Sequence, residues 1–154
     1  PGKLELLETI RREAAFKALG KPYAERDAVP FVAFVAGPAD YTSHLTGETI
    51  HAAGVDFLSR VFFLGGIHQT YPGSISCCTG ACAVIPGTVL YQLRGKKETP
   101  EVRIGHPGGV IGVEAACGTG PDGKPALKRA SYARTARRIM DGYCYVPNRC
   151  FEED

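Results

Sequence analysis

The stretch from His68 to Leu90 contains the groups best suited to bind an anion. A breaker pair, Pro72-Gly73, precedes Ser74, and small residues then continue as far as Val84. This pattern predicts a helix of about 11 residues that is N-capped by Ser74 and ended by Pro86. Its residues are too small to cover a surface, which indicates a helix packed tightly on every side.

The beginning of this helix is a candidate carboxylate site. The turn at Gly73 leads into the backbone amides of Ser74, Ile75 and Ser76, which would have no acceptor inside the helix. Together with the Ser74 hydroxyl, these amides could bind a carboxylate group of a substrate. The alternative is purely structural, since small residues also let a helix fit inside a β structure.

Further candidates for substrate binding lie outside this helix. Gly108 and Gly109 would let the backbone approach a ligand closely. His68 and His106 could bind substrate, but each could equally be a turn histidine with local hydrogen bonds. Arg134 could neutralise substrate charge, although arginines on an exposed strand face are more often solvated.

Cysteine provides a further catalytic candidate but no metal site. Cys77 and Cys78 lie about one turn inside the predicted helix, where a cysteine usually acts as a small apolar residue. Cys77 therefore remains a secondary candidate for catalysis. The six cysteines and four histidines lack zinc-ligand spacing, so we expect no metal. Amides can hold carboxylate charge, so we expect no cofactor.

Composition restricts the class of protein. The chain has 154 residues, 44% hydrophobic content and a formal charge of +2, which predicts a single domain over 1–154. Its basic residues are too sparse for a nucleic-acid surface. No apolar run reaches the roughly 20 residues that span a bilayer, and no export signal is evident. We expect a cytoplasmic protein with reduced thiols that binds no nucleic acid or membrane.

The order of the elements predicts an α+β fold. An amphipathic helix over Lys3–Leu19, with Leu7, Ile10, Ala14 and Ala18 on one face, ends at Gly20 and is followed by a loop over Lys21–Val29. Further elements are predicted as follows: a buried strand Val29–Ala36, a strand Glu48–Ala53, a helix Val55–Leu64, the central helix, strands Thr88–Leu93, Val102–Gly105, Val110–Ala115, Ala126–Ala133 and Arg137–Val146, and a hairpin at Pro121-Asp122-Gly123-Lys124. This order indicates an antiparallel sheet curled around the central helix.

Three strings resemble one family. HQTYPGSISCCTGACAVIPGTV, RIGHPGGVIGVEA and ARTARRIMDGYCYVP resemble the 2-methylaconitate isomerase (PrpF-like) family, which has the diaminopimelate epimerase-like fold. The resemblance covers almost the whole chain, but only the second half of the usual family length. It implies one of two similar halves, with the active site in the cleft where the N-termini of the two central helices converge.

The resemblance implies an isomerase that shifts a double bond by proton transfer in a small unsaturated polycarboxylate. The family's principal acid and base, a lysine and a cysteine, would belong to the N-terminal half, which is absent here. The partners implied are the substrate and either that half or another copy of the chain. Three departures bear on the substrate: Gly108 replaces a serine, Gln69 replaces a frequent lysine, and Ser74-Ile75 replaces a usual Thr-Gly pair.

A second motif, ACGTG at Ala116–Gly120, matches the catalytic cysteine string of diaminopimelate epimerases. Pro121-Asp122-Gly123 follows it, so we expect a hairpin tip there and a coincidental match.

Two functions remain open. One is the substrate-binding half of an isomerase, and the other is an inactive half that acts as a packing or interaction domain.

Overall fold

The computed structural model describes residues 2–20, 30–97 and 99–150. The helices are α1 (Gly2–Leu19), α2 (Gly73–Val84) and α3 (Val89–Leu93). The strands are β1 (Val32–Ala36), β2 (Tyr41–Thr42), β3 (Thr49–Ile50), β4 (Phe57–Phe63), β5 (Gly66–Ile67), β6 (Glu101–His106), β7 (Gly109–Thr119) and β8 (Pro125–Tyr132). Of the helices in these ranges, none has both the length and the apolar composition needed to cross a membrane.

The main sheet has the order β1-β4-β6-β7-β8, with β5 paired to β4. Its neighbours are antiparallel except β4 and β6, which run parallel with Phe57 opposite Ile104. The predicted antiparallel sheet therefore contains one parallel pair. α2 and α3 lie between β4 and β6 in the chain, and such a crossover allows parallel pairing. The predicted α+β class is confirmed.

Helix α2 packs against β6, β7 and β8 of the curled sheet. Gly80 makes this close approach possible, because a Cβ atom built there would lie 2.4 Å from Val113 Cγ1 of β7. The buried core that forms around this contact comprises Phe57, Val61, Tyr71, Ala83, Val84, Leu90, Val102, Ile104, Val113 and Ala115. The small residues of α2 thus let the helix lie directly on the strands.

A buried hydroxyl network joins the middle of α2 to β4. The Tyr71 hydroxyl lies 2.9 Å from Ser59 Oγ on β4 and 2.8 Å from Thr79 Oγ1 on α2. All three side chains are buried, so each hydroxyl depends on its partners for hydrogen bonding. Tyr71 therefore joins strand, helix and the loop between them.

Asp56 is the centre of a buried charge network. Its carboxylate lies 3.6 Å from Arg94 Nε and accepts hydrogen bonds from Lys97 Nζ and the Arg103 amide, both at 2.9 Å. Arg94 is also buried and donates to the carbonyl oxygens of Lys97 and Thr99. The network connects the start of β4 with the segment between α3 and β6.

Two predicted elements have the wrong type. The predicted helix Val55–Leu64 is strand β4, and the predicted strand Thr88–Leu93 is helix α3 with Thr88 as its N-cap. Buried residues lie on both faces of β4, as the adjacent Val61 and Phe62 show, so its apolar pattern does not alternate as in a half-exposed strand. In α3, the Thr88 hydroxyl accepts a hydrogen bond from the Tyr91 amide, a cap that stabilises the helical turn.

Three predicted strands are shorter or absent. β1 is half-exposed along Val32–Ala36 because it pairs only with β4 at the sheet edge, so the expected burial is wrong. Pairing within Glu48–Ala53 is limited to Thr49–Ile50. Arg137–Val146 forms no strand and is largely exposed. The predicted loop Lys21–Val29 lies outside the described residues.

The first helix and the hairpin predicted at Pro121-Asp122-Gly123-Lys124 are confirmed. α1 ends as predicted, with Gly20 in the left-handed region and its amide bonded to Phe16 O. Its predicted face is wrong, because the buried residues are Arg11 and Ala15. The Arg11 guanidinium is paired with Glu8 at 2.6 Å, which makes its burial possible.

Candidate functional site

The N-terminus of α2 offers three backbone donors. α2 begins at Gly73 with Pro72 as N-cap, and the Ser76 amide already donates to Pro72 O at 2.9 Å. The amides of Gly73, Ser74 and Ile75 have no acceptor among the described residues. They carry the partial positive charge of the helix start, which favours an anion.

Two details of the predicted helix start are wrong. Ser74 is not the cap, because the helix begins one residue earlier and the cap makes no side-chain hydrogen bond. The Ser76 amide is not available to a ligand, and the buried Ser76 hydroxyl donates back to Gly73 O at 2.6 Å. Both errors have one cause: the helix starts one residue earlier than predicted, which gives the Ser76 amide an acceptor at Pro72 O.

Tyr132, at the end of β8, covers one side of this helix start. A Cβ atom at Gly73 would lie 2.2 Å from the Tyr132 hydroxyl oxygen, so a side chain there would require Tyr132 to move. The Arg134 guanidinium lies 5.5 Å from the centre of the Tyr132 ring, within cation–π range. The structure therefore brings the predicted Arg134 towards α2 through Tyr132, a residue that the sequence analysis missed.

The hairpin between β6 and β7 is held in place by the segment that follows β2. His106 pairs with Gly109, whose φ of +145° is a conformation that favours glycine. The Ser43 hydroxyl donates to Gly108 O at 3.1 Å, and the His44 amide donates to Pro107 O at 3.0 Å. These bonds fix the backbone of the hairpin.

Gly108 is in close contact with two other segments. A Cβ atom there would lie 2.7 Å from Leu45 Cδ1 and 3.3 Å from Thr70 Cγ2. Leu45 therefore occupies the space that a side chain at position 108 would need. Leu45 was also missed by the sequence analysis, and it places an apolar, 61% exposed side chain beside the hairpin.

His68 and His106 both make the local hydrogen bonds of the structural alternative. His106 Nδ1 accepts from the Gly108 amide at 3.2 Å, and His68 Nδ1 accepts from the Thr70 amide at 3.1 Å. The His106 ring centre lies 6.1 Å from that of Tyr71, the residue before the α2 N-cap. Both loops therefore lie beside the start of α2.

The His106 environment disfavours the charged imidazolium. Burial lowers its pKa to about 4, and the positive field of Arg60, with smaller effects of His44 and His68, adds to the shift. His106 is therefore neutral at pH 7. Its surroundings are rich in basic groups, which matches the anion preference of the adjacent helix start.

The lowered pKa of His106 predicts that the folded protein loses stability at acid pH. Between about pH 6.5 and about 4 the unfolded chain binds a proton at His106 that the folded chain does not, so stability falls as the pH falls. We expect a loss of about 1 to 3 kcal/mol across this window. Thermal unfolding against pH should show it, and His106→Gln should flatten that part of the curve.

The exposed His51 is the control for this prediction. His51→Gln should leave the slope in place, because His51 is solvated beside Asp40. The lowered pKa of Asp56 places its own contribution at lower pH. An unchanged slope in His106→Gln would contradict the assignment.

Neither Cys77 nor the ACGTG string lies at the first residues of α2. Cys77 is half-buried one turn into α2, as predicted. The ACGTG string lies at the end of β7 and leads into the hairpin, where no helix begins. It lines a cavity of about 450 Å³ with Val84 and Pro86, at the other end of α2 from Gly73. All six cysteines are free thiols.

Comparison with known proteins adds independent information. Residues 1–147 match the PrpF protein family. The chain is 43% identical over 150 residues to 3-methylitaconate isomerase of Eubacterium barkeri. The aligned region covers 93% of the chain and 38% of that protein. The chain is 38% identical over 128 residues to 2-methyl-aconitate isomerase of Cupriavidus necator, covering 83% and 32% respectively.

A solved structure of methylitaconate-delta-isomerase is similar to the chain in three dimensions. The TM-score is 0.76 at 42% identity, over 93% of the chain and 37% of that structure. The chain therefore spans less than two-fifths of the length of the relatives it matches.

Proposed function

This chain belongs to the PrpF family, and we propose that it is the substrate-binding part of a longer isomerase. The reaction would shift a double bond by proton transfer in a small unsaturated polycarboxylate, such as a methylitaconate, an aconitate or a methylaconitate. The names of two relatives, 3-methylitaconate isomerase and 2-methyl-aconitate isomerase, support this class.

The start of α2 is the observation that carries the proposal. The amides of Gly73, Ser74 and Ile75 are available, and a carboxylate placed there would gain hydrogen bonds and the favourable helix field. Removal of a proton beside a carboxylate spreads negative charge onto that group, so donors there would also stabilise the transition state. His68, His106 and Arg134 would supply further donors.

The proton-transferring groups would lie elsewhere in the longer protein. Shifting a double bond requires a base for one carbon and an acid for another. Cys77 is half-buried within α2, and His106 is neutral with Nδ1 already occupied by a backbone amide. We therefore expect the 154-residue chain alone to lack isomerase activity.

Exposed apolar residues support a second half that covers part of this one. Ile139 is 87% exposed, Tyr143 98% and Tyr145 95%, which is unusual for clustered large apolar side chains. We infer that the rest of a two-half, diaminopimelate epimerase-like protein packs on this segment. A second candidate function, an inactive half that binds a partner or another copy, would use the same surface.

A chimera distinguishes the two candidates. We expect activity on 3-methylitaconate when this chain replaces the matching part of the Eubacterium barkeri enzyme. Loss of the substrate's vinyl proton signals and growth of the product's methyl signals would follow the reaction. Ser74→Asp in the chimera should reduce activity by about tenfold or more, since its carboxylate would compete for the helix start. Thr119→Asp adds the same charge at the far end of β7 and should have little effect.

A folded but inactive chimera would favour the interaction domain. Circular dichroism and gel filtration would establish that the chimera has folded. Equal losses in Ser74→Asp and Thr119→Asp would show that charge in general, and not the start of α2, determines the effect.

A further inference from the structure

His106 and His68 share one local geometry. In each, ring Nδ1 accepts a hydrogen bond from the backbone amide two residues later, that of Gly108 or Thr70. His51 differs, because its Nδ1 lies 3.1 Å from Asp40 Oδ2. A carboxylate only accepts, so Nδ1 of His51 must carry a proton.

The backbone bond determines the tautomer of His106. A ring nitrogen that accepts an N–H bond is unprotonated, so the single proton of the neutral imidazole lies on Nε2. The donor amide belongs to the hairpin that Ser43 and His44 hold in place. The ring therefore cannot exchange tautomers without losing this bond.

The Nε2–H group of His106 has no acceptor in the part of the chain that the structure describes. The charged and titratable groups that act on the ring are Arg60, His44 and His68, and the Tyr71 ring lies beside it. None of these is a carboxylate. A half-buried donor in such surroundings is suited to an anionic oxygen from a ligand.

We propose that His106 binds a carboxylate oxygen of the substrate through Nε2–H as a neutral imidazole, with His68 held in the same tautomer. This role rests on the proposed function for the identity of the ligand. The ring would hold the carboxylate without transferring a proton, because a neutral imidazole is a very weak acid. Binding would then not depend on titration of His106 near neutral pH.

Ring-¹⁵N-labelled histidine tests the tautomer without any ligand. Long-range ¹H–¹⁵N spectra of the protein at pH 7 should show His106 and His68 with unprotonated Nδ1 and protonated Nε2. His51 serves as the internal control with protonated Nδ1. A protonated Nδ1 or an imidazolium at His106 would overturn the proposal.

Tricarballylate, a saturated tricarboxylate, tests the ligand. It should bind about equally at pH values from about 6.5 to about 8.5, where a neutral donor does not titrate. His106→Ala should weaken binding by about tenfold or more, whereas His106→Gln keeps an N–H donor and should bind much better than His106→Ala. Two results would contradict the role of His106. One is an equal loss of affinity in both variants, and the other is binding that weakens as the pH rises, as it would if an imidazolium held the ligand.

The two experiments together separate a failure of the proposed function from a failure of the proposal about His106. If His106 shows the expected tautomer but the unmodified protein does not bind tricarballylate, the carboxylate role and the proposed function both fail. If tricarballylate binds while Nδ1 of His106 is protonated, only the proposal about His106 fails.

Discussion

Replacing Asp56 by alanine is expected to lower the free energy of unfolding by about 3 to 5 kcal/mol. The Asp56 carboxylate is 5% exposed and lies 3.6 Å from the buried Arg94 guanidinium. Burial opposes its ionisation, but the Arg103 amide and Lys97 together keep the pKa of Asp56 below its ordinary value. Without it, Arg94 would remain buried without a counter-ion. Urea unfolding would measure the loss.

Glu114→Ala is the matched control for Asp56→Ala. Glu114 forms a shorter ion pair with Arg129, at 2.8 Å, but both side chains are more than 60% exposed. Solvent screening should therefore limit the loss to about 1 kcal/mol or less. Similar losses in the two variants would show that burial of the Asp56 network does not determine its contribution.

Gly80→Ala is the second substitution with a large expected effect. Its Cβ atom would lie 2.4 Å from Val113 Cγ1 and 3.0 Å from Val113 Cβ, in the core between α2 and β7. Overpacking should cost about 1 to 3 kcal/mol, although alanine is intrinsically the better helix former. Chemical unfolding should show this loss despite the improved helix propensity.

Two further variants isolate the steric cause. Gly112→Ala, at the neighbouring position on β7, adds a Cβ with nothing within 4 Å and should not destabilise the protein. Val113→Ala in combination with Gly80→Ala should cost less than the sum of the two single changes, because the smaller side chain makes room. Additive losses would contradict the proposed contact.

Local signals in the sequence were sufficient for some elements. Gly20 ends α1 as predicted, and Pro121-Asp122-Gly123-Lys124 forms the turn between β7 and β8, with Gly123 at φ +76°. The central helix also lies where Pro72 and Pro86 place it, within a residue or two. These features depend on residues that restrict the backbone directly.

Elements that depend on distant partners were not predictable in this way. β4 is a strand because β1 and β6 lie on its two sides, and the sequence around Val61 shows only an apolar pattern that a helix would share. The strand expected at Arg137–Val146 does not form within this chain. Its residues are exposed and pair with none of the described strands.

The candidate site was predictable in its position but not in its detail. Pro72 and Gly73 mark the helix start, and His106 and Gly108 mark a turn, but nothing in the sequence places these segments side by side. Tyr132 lies 60 positions along the chain from Pro72 and packs on Gly73 only because β8 joins the sheet. Leu45 lies beside Gly108 for a similar reason.

Titration of ¹⁵N-labelled protein with tricarballylate tests most directly the central claim that the start of α2 binds a carboxylate. The account predicts saturable shifts of the Gly73, Ser74 and Ile75 amide signals, which Ser74→Asp should largely abolish and Thr119→Asp should preserve. Shifts confined to exposed basic residues such as Arg129 and Arg138, with the α2 amides unchanged, would contradict it.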